Sequence, residues 1–89
     1  MFTSVSAFRT AVRLHPGGKF VACVLVKKVV VVVSIADGSE MLRFSDTGGT
    51  CFETVWSQDG ALLVVPSGTG VHIFSADAGF AEVQHLASD

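Results

Sequence analysis

The sequence predicts an all-β chain of two four-stranded antiparallel meanders, and three observations lead there. Residues 20–35 form an apolar run broken only by Lys27, Lys28 and Ser34, with consecutive valines from Val29 to Val33. Turn signals recur through the rest of the chain, and the second half repeats the layout of the first, Gly18 falling on Gly60 42 residues later. No stretch carries the 3.6-residue periodicity of an amphipathic helix. Valine is stiff at its first side-chain torsion and packs better on a pleated surface than on a helix, so the central run reads as strand.

That run is too long for one strand of ordinary length, about five or six residues. The lysine pair marks the hairpin, giving strands at 20–26 and 29–35. Both are apolar on each face, whereas a sheet with one wetted face alternates apolar and polar residues, so both faces need covers. Residues 1–10, with Phe2, Val5 and Phe8 as apolar points, read as an arm or partial strand. A short strand at 11–14 meets His15-Pro16-Gly17-Gly18, a turn because proline presets one backbone angle and glycine accepts the positive ones. Asp37-Gly38 turns the chain again into a strand at 40–44. After a polar loop at 45–50 the order restarts: strand 51–56, turn 57–60, strand 61–65, loop 66–70, strand 71–75, turn 77–79, strand 80–86 and a tail at 87–89.

Two units follow, 11–44 and 51–86, and the correspondence extends beyond one glycine. Leu14 falls on Trp56, Phe20 on Leu62, Val21 on Leu63, Val29 on Val71, Val31 on Ile73 and Phe2 on Phe44. Four strands per unit at a spacing of about 40–45 residues is the pattern of a propeller blade. Ser57-Gln58-Asp59-Gly60-Ala61-Leu62 resembles the serine–proline–aspartate–glycine turn of WD-repeat β-propellers. His15-Pro16-Gly17-Gly18-Lys19-Phe20 is a looser copy, and Val71-His72-Ile73-Phe74-Ser75 resembles the third strand of a blade. That family usually ends this strand in tryptophan–aspartate, where Phe74 and Ser75 stand here, and both units lack its glycine–histidine dipeptide. The resemblance implies a binding scaffold and no catalytic activity.

Closed propellers have typically four to eight blades, and two blades leave two outer faces bare. Self-association removes those faces: three chains make six blades, the first expectation, and four make eight, each joint running head to tail. The alternatives are an eight-stranded sandwich or barrel, or a piece of a longer protein. Composition agrees with association, since 49% of the 89 residues are hydrophobic and only 16% charged, more apolar content than a small domain easily hides. The formal charge is −2 and the six basic residues form no cluster beyond Lys27-Lys28, which argues against nucleic acid as a partner. A protein or peptide ligand fits a scaffold better. Cys23 and Cys51 sit among apolar residues without metal-ligand spacing and read as small buried side chains. Neither a signal peptide nor a membrane span is visible, so a cytoplasmic protein is expected.

The sharpest catalytic candidate is Asp46, in Asp46-Thr47-Gly48, which resembles the tripeptide of aspartic proteases, including small homodimeric ones. Such chemistry needs two carboxylates sharing one proton. Ser45 stands where that family has an apolar residue. His15, His72 and His85 lack the close spacing of a metal motif. His72 lies on a strand facing away from Val71 and Ile73, which makes it a candidate for a ligand or interface contact. Trp56 is the other binding candidate, although its alignment with Leu14 points to core. Gly68-Thr69-Gly70 precedes no helix and so reads as a turn, not a phosphate loop. Asp37, Asp59 and Asp77 read as turn aspartates bonded to nearby amides. No metal or other cofactor is expected.

Overall fold

The computed structural model describes residues 11–25, 28–46 and 50–87. The arm at 1–10 with its match of Phe2 to Phe44, Lys27, Thr47, Gly48 and the last two residues of the tail lie outside the described residues. Eight strands run in chain order: β1 Ala11–Leu14, β2 Phe20–Leu25, β3 Val29–Ser34, β4 Glu40–Ser45, β5 Val55–Trp56, β6 Leu62–Ser67, β7 Gly70–Ser75 and β8 Ala81–Ala87. They form two antiparallel sheets, β1-β2-β3-β4 and β5-β6-β7-β8, each a simple meander. The sheets do not close into a barrel. Among the described residues the sole helical element is a single 3₁₀ turn, Ala76–Ala78, and no helix is long and apolar enough to cross a membrane.

The apolar run divides into β2, ending at Leu25, and β3, beginning at Val29, as its length requires, and the two pair from Phe20 opposite Ser34 to Leu25 opposite Val29. Larger differences from the sequence reading gather around residues 51–70. The expected strand 51–56 shrinks to Val55–Trp56, with Cys51 making only an isolated bridge to Ser67. The expected loop at 66–70 shrinks instead, because β6 runs on through Pro66 and Ser67 and β7 begins at Gly70. Proline is tolerated there since its ring removes only a donor; its carbonyl still accepts from the Phe52 amide at 2.9 Å.

The repeat is visible in the ladders. Phe20 pairs with Ser34 as Leu62 pairs with Ser75. In each unit the third strand meets the fourth across one β-bulge, between Val32 and Val33 in the first and between Ile73 and Phe74 in the second. These bulges align the third strands one residue differently from the sequence reading, so Val29 matches Gly70 and Val31 matches His72. The reason is the hairpin after β2, which is one residue longer than the hairpin after β6.

One core lies between the two sheets. Ala22, Val24, Val30 and Val32 of the first sheet meet Leu63, Val65 and Phe74 of the second, with Cys51 and Phe80 completing the cluster. At one end the rings of His15, Phe20, Trp56 and Phe80 pack together, with Phe20 edge-on to Phe80 at 5.1 Å. Phe80 was expected to open the last strand; it sits instead in the preceding turn with φ of 64°. A left-handed backbone costs a phenylalanine about 1–3 kcal/mol, offset by a ring buried at about 1.5–3 kcal/mol. Both cysteines are free and buried, and burial pushes each thiol pKa up.

The turn aspartates act as expected where their bonds are seen. Asp59 Oδ1 accepts from the Ala61 amide at 3.0 Å and the Ser57 hydroxyl at 2.8 Å, which holds its carboxyl below the usual range. Asp37 accepts from the Ser39 amide at 3.0 Å and its pKa is lowered for the same reason.

Candidate functional site

At the end of the core opposite the aromatic cluster, the chain leaves β4 through Asp46 and crosses to the second sheet. The alternation of β7 turns His72 inward, on the face shared with Phe74, and its antiparallel partner on β8 is His85. The β7–β8 bulge sets Glu82 opposite Phe74, which brings a second carboxylate to the same face. Thus three elements deliver their polar side chains to one place, and His72 stands at its centre.

His72 Nε2 lies 2.8 Å from Asp46 Oδ1, and Nδ1 lies 2.6 Å from Glu82 Oε2. The side chains of His72 and Asp46 are 7% and 1% exposed, that of Glu82 36%. A carboxylate only accepts, so both ring nitrogens must donate and the ring is an imidazolium. Burial alone would lower its pKa, but the hydrogen bonds to Glu82 and Asp46 outweigh burial and raise it. Asp46 Oδ1 also accepts from the hydroxyls of Thr69 at 2.5 Å and Ser67 at 3.0 Å. Phe44 covers the His72 ring at 4.6 Å, and His85 stacks on it at 4.0 Å with 12° between the planes. Beside this cluster opens a cleft of about 640 Å³ bordered by Phe44, Asp46, Gly68, Thr69, His72 and His85.

Two kinds of chemistry lie close to this geometry. Thr69 Oγ1, His72 and Glu82 follow one another as a nucleophile, base and orienting acid would, with 3.4 Å between the hydroxyl and Nε2. Asp46 breaks that sequence by taking both the hydroxyl proton and the Nε2 proton, leaving the ring no lone pair with which to act as a base. His72, Glu82 and His85 place donor atoms within 4.8 Å of one another, close enough to consider a cation. The two imidazoles lie nearly parallel, however, and one ion cannot lie in both ring planes, as ligation by ring nitrogen requires. What the arrangement does as it stands is tie β7 of the second sheet to Asp46 at the end of β4 through Nε2, while Glu82 on the neighbouring β8 takes the proton on Nδ1.

The sequence matches no protein-family model and no curated protein. The site residues are therefore read from geometry alone.

Asp46 and His72, singled out on separate grounds, are brought into direct contact. The proton-sharing of an aspartic protease would require His72 to leave Asp46, since Oδ1 is already taken by the imidazole and by two hydroxyls. Trp56 lies at the far end of the core, where Nε1 donates to the Arg13 carbonyl at 3.1 Å and the ring stacks on Phe20 at 6.2 Å. His15 is buried there too, its Nε2 3.1 Å from the Gly60 carbonyl and its Nδ1 accepting from the Gly17 amide at 3.0 Å. Glu82, Thr69 and Ser67 were missed. Only a strand register linking Ser67, His72 and His85 would have shown them, and that register depends on a bulge that no residue type announces.

Proposed function

We propose that the chain is a non-enzymatic, blade-like interaction module that associates with copies of itself, as in a β-propeller built from several chains. The observation that carries this reading is the apolar character of both outer faces. On the first sheet the strand alternation turns Leu14, Val21, Leu25, Val29 and Val33 away from the core, with Leu14 63% exposed. On the second it turns out Val55, Leu62, Val64, Val71, Ile73 and Leu86, with Leu86 50% exposed. Sheets of this kind are seldom left bare on soluble chains, and apolar surface of this extent marks an interaction site. The cluster around His72 supports the non-enzymatic part, because its polar atoms are satisfied by one another. The WD-repeat resemblance of the 57–62 turn supports the blade reading, and loops at one end of the assembly are the surface for a protein or peptide ligand by analogy of fold.

The test is the solution mass by light scattering coupled to size exclusion at micromolar concentration. A species of three or four times the 9.3 kDa chain mass is expected, three first. A stable monomer would overturn the reading.

A further inference from the structure

The joint inside the chain is directional, and its two halves recur on the free faces. Matching the units through their ladders and bulges places Phe20 on Leu62, Phe44 on Leu86, Val30 on Val71 and Val32 on Ile73. The first residue of each pair lies on the inner face of the first sheet and the second on the outer face of the second sheet. The reverse holds for the other half: Trp56, His72 and Phe74, all turned inward, match Leu14, Val31 and Val33, all turned outward. Two sheets related by a two-fold sandwich would turn matching residues toward each other. Here they point the same way along the stack, which is the relation that lets a third sheet follow the second.

Resting on the blade reading above, we infer that the outer face of β5–β8 in one copy seats on the outer face of β1–β4 in the next, repeating the internal joint. The internal contacts then name the new ones. Phe20 stacked on Trp56 becomes Leu62 against Leu14 of the next copy. Phe44, which packs on His72 and Phe74, becomes Leu86 against Val33, the position that matches Phe74. Both of these substituted pairs are apolar with apolar, while on β8 Gln84 lies beside Ile73 on the seating face and on β4 the paired Arg43 and Glu40 lie beside Val31 and Val33 on the receiving face. Val31 and Cys23 are already buried within the receiving face, and the exposed Leu14 and Val12 form its approachable rim. The position matching His72 is Val31, so the joint between copies lacks the imidazolium clamp of the joint within them. The occupant is thus a second copy of this chain in one orientation.

The experiment uses one charged substitution per face. Leu14→Asp spoils the receiving face and Leu86→Asp the seating face; both leucines are exposed, and circular dichroism with a thermal melt verifies the fold, with Leu14→Lys and Leu62→Lys as second variants. In a head-to-tail joint each variant alone is monomeric, because every joint then contains one spoiled face. Mixed in equal amounts, the two pair through their intact faces, and the mass doubles to a one-to-one dimer. Folded single variants that still associate, or a mixture that stays monomeric, would overturn this joint while the association of the unmodified chain stood. A monomeric unmodified chain would overturn the blade assembly itself. A Leu14→Cys/Leu62→Cys double variant adds an independent readout: the two positions lie on opposite outer faces of one chain, so a short thiol cross-linker must join different copies. Loss of cross-linked ladders when Leu86→Asp is added is expected, and unchanged ladders count against the joint.

Discussion

Removing the His72 ring should cost more than any other single polar substitution at the inter-sheet core. Deleting one partner of a buried pair costs about 3–5 kcal/mol because the other charge stays buried. Asp46 retains the Ser67 and Thr69 hydroxyls, which places His72→Ala near the lower end, about 3 kcal/mol. A chain of this length holds roughly 4–13 kcal/mol in total, and each kilocalorie moves the midpoint of a small domain by about 4–8 °C. The melting midpoint should fall by roughly 12 °C or more. The same pair predicts a pH dependence with a definite sign. The His72 pKa is raised above its ordinary 6.5 in the folded chain, so its contribution is complete below that value and is lost as pH rises through the folded-state value. The groups facing the ring are Asp46, Glu82, His85, Thr69 and Phe44, and only the two carboxylates hold its protons. Urea unfolding followed by Trp56 fluorescence from pH 5 to 9 measures both effects. Stability should fall toward alkaline pH, and His72→Phe should flatten that part of the profile. Combining His72→Phe with Asp46→Asn removes both buried charges and should recover part of the loss, a coupling of about 1–3 kcal/mol. Additive single effects, together with an unmodified chain whose stability is level between pH 6 and 9, would refute the clamp.

Two further substitutions probe the packing around it. Gly60 has φ of +77°, and a Cβ there would run into His15 Nε2, so Gly60→Ala should lower stability by about 1–3 kcal/mol in a urea titration; Gly18→Ala, with φ of +73° and open space around the added carbon, should cost less. Thr54 is buried with a hydroxyl that meets no partner among the described residues. Thr54→Val keeps the shape, removes the unsatisfied group and should raise stability by about 1 kcal/mol, seen as an upward shift in a calorimetric melt.

The fold was legible because its signals are local. Val29 to Val33 cannot easily be anything but strand, and Asp59-Gly60 and Asp37-Gly38 fix turns within four residues. The 42-residue match of Gly18 to Gly60 rests on turn chemistry that both units share, each glycine having a positive φ. The candidate site was legible only in halves. His72 drew attention as a polar residue on an apolar face, and Asp46 as part of a tripeptide, but nothing in their spacing said that they touch. Their meeting depends on one strand being stacked on another 26 residues away. Glu82 reaches the same ring because a bulge re-aims it, and a bulge adds a residue without leaving a compositional mark. Pro66 misled in the opposite direction, since proline usually ends a strand and here ends only one hydrogen bond.

The two units differ where a plain repeat would be identical, and the difference separates the joints. Within the chain, the joint ends in His15, Phe20, Trp56 and Phe80 on one side and in the imidazolium clamp on the other, which fix the sheets by ring geometry and by charge. At the matching positions on the receiving face stand Leu14, Val31 and Val33. Those residues supply apolar area without a charged lock. An internal joint locked by polar groups must form once, during folding, and a buried charge left unpaired penalises any wrong arrangement of the two sheets. A joint between copies made chiefly of aliphatic side chains, without a buried ion pair, forms and separates without that penalty, so its strength follows concentration and apolar area rather than pH. Raising pH above the ordinary histidine range should therefore loosen each chain before it loosens the contacts between chains. Melting at low and high protein concentration across the same pH series would separate the two: the concentration dependence belongs to the leucine and valine faces, the alkaline loss to His72.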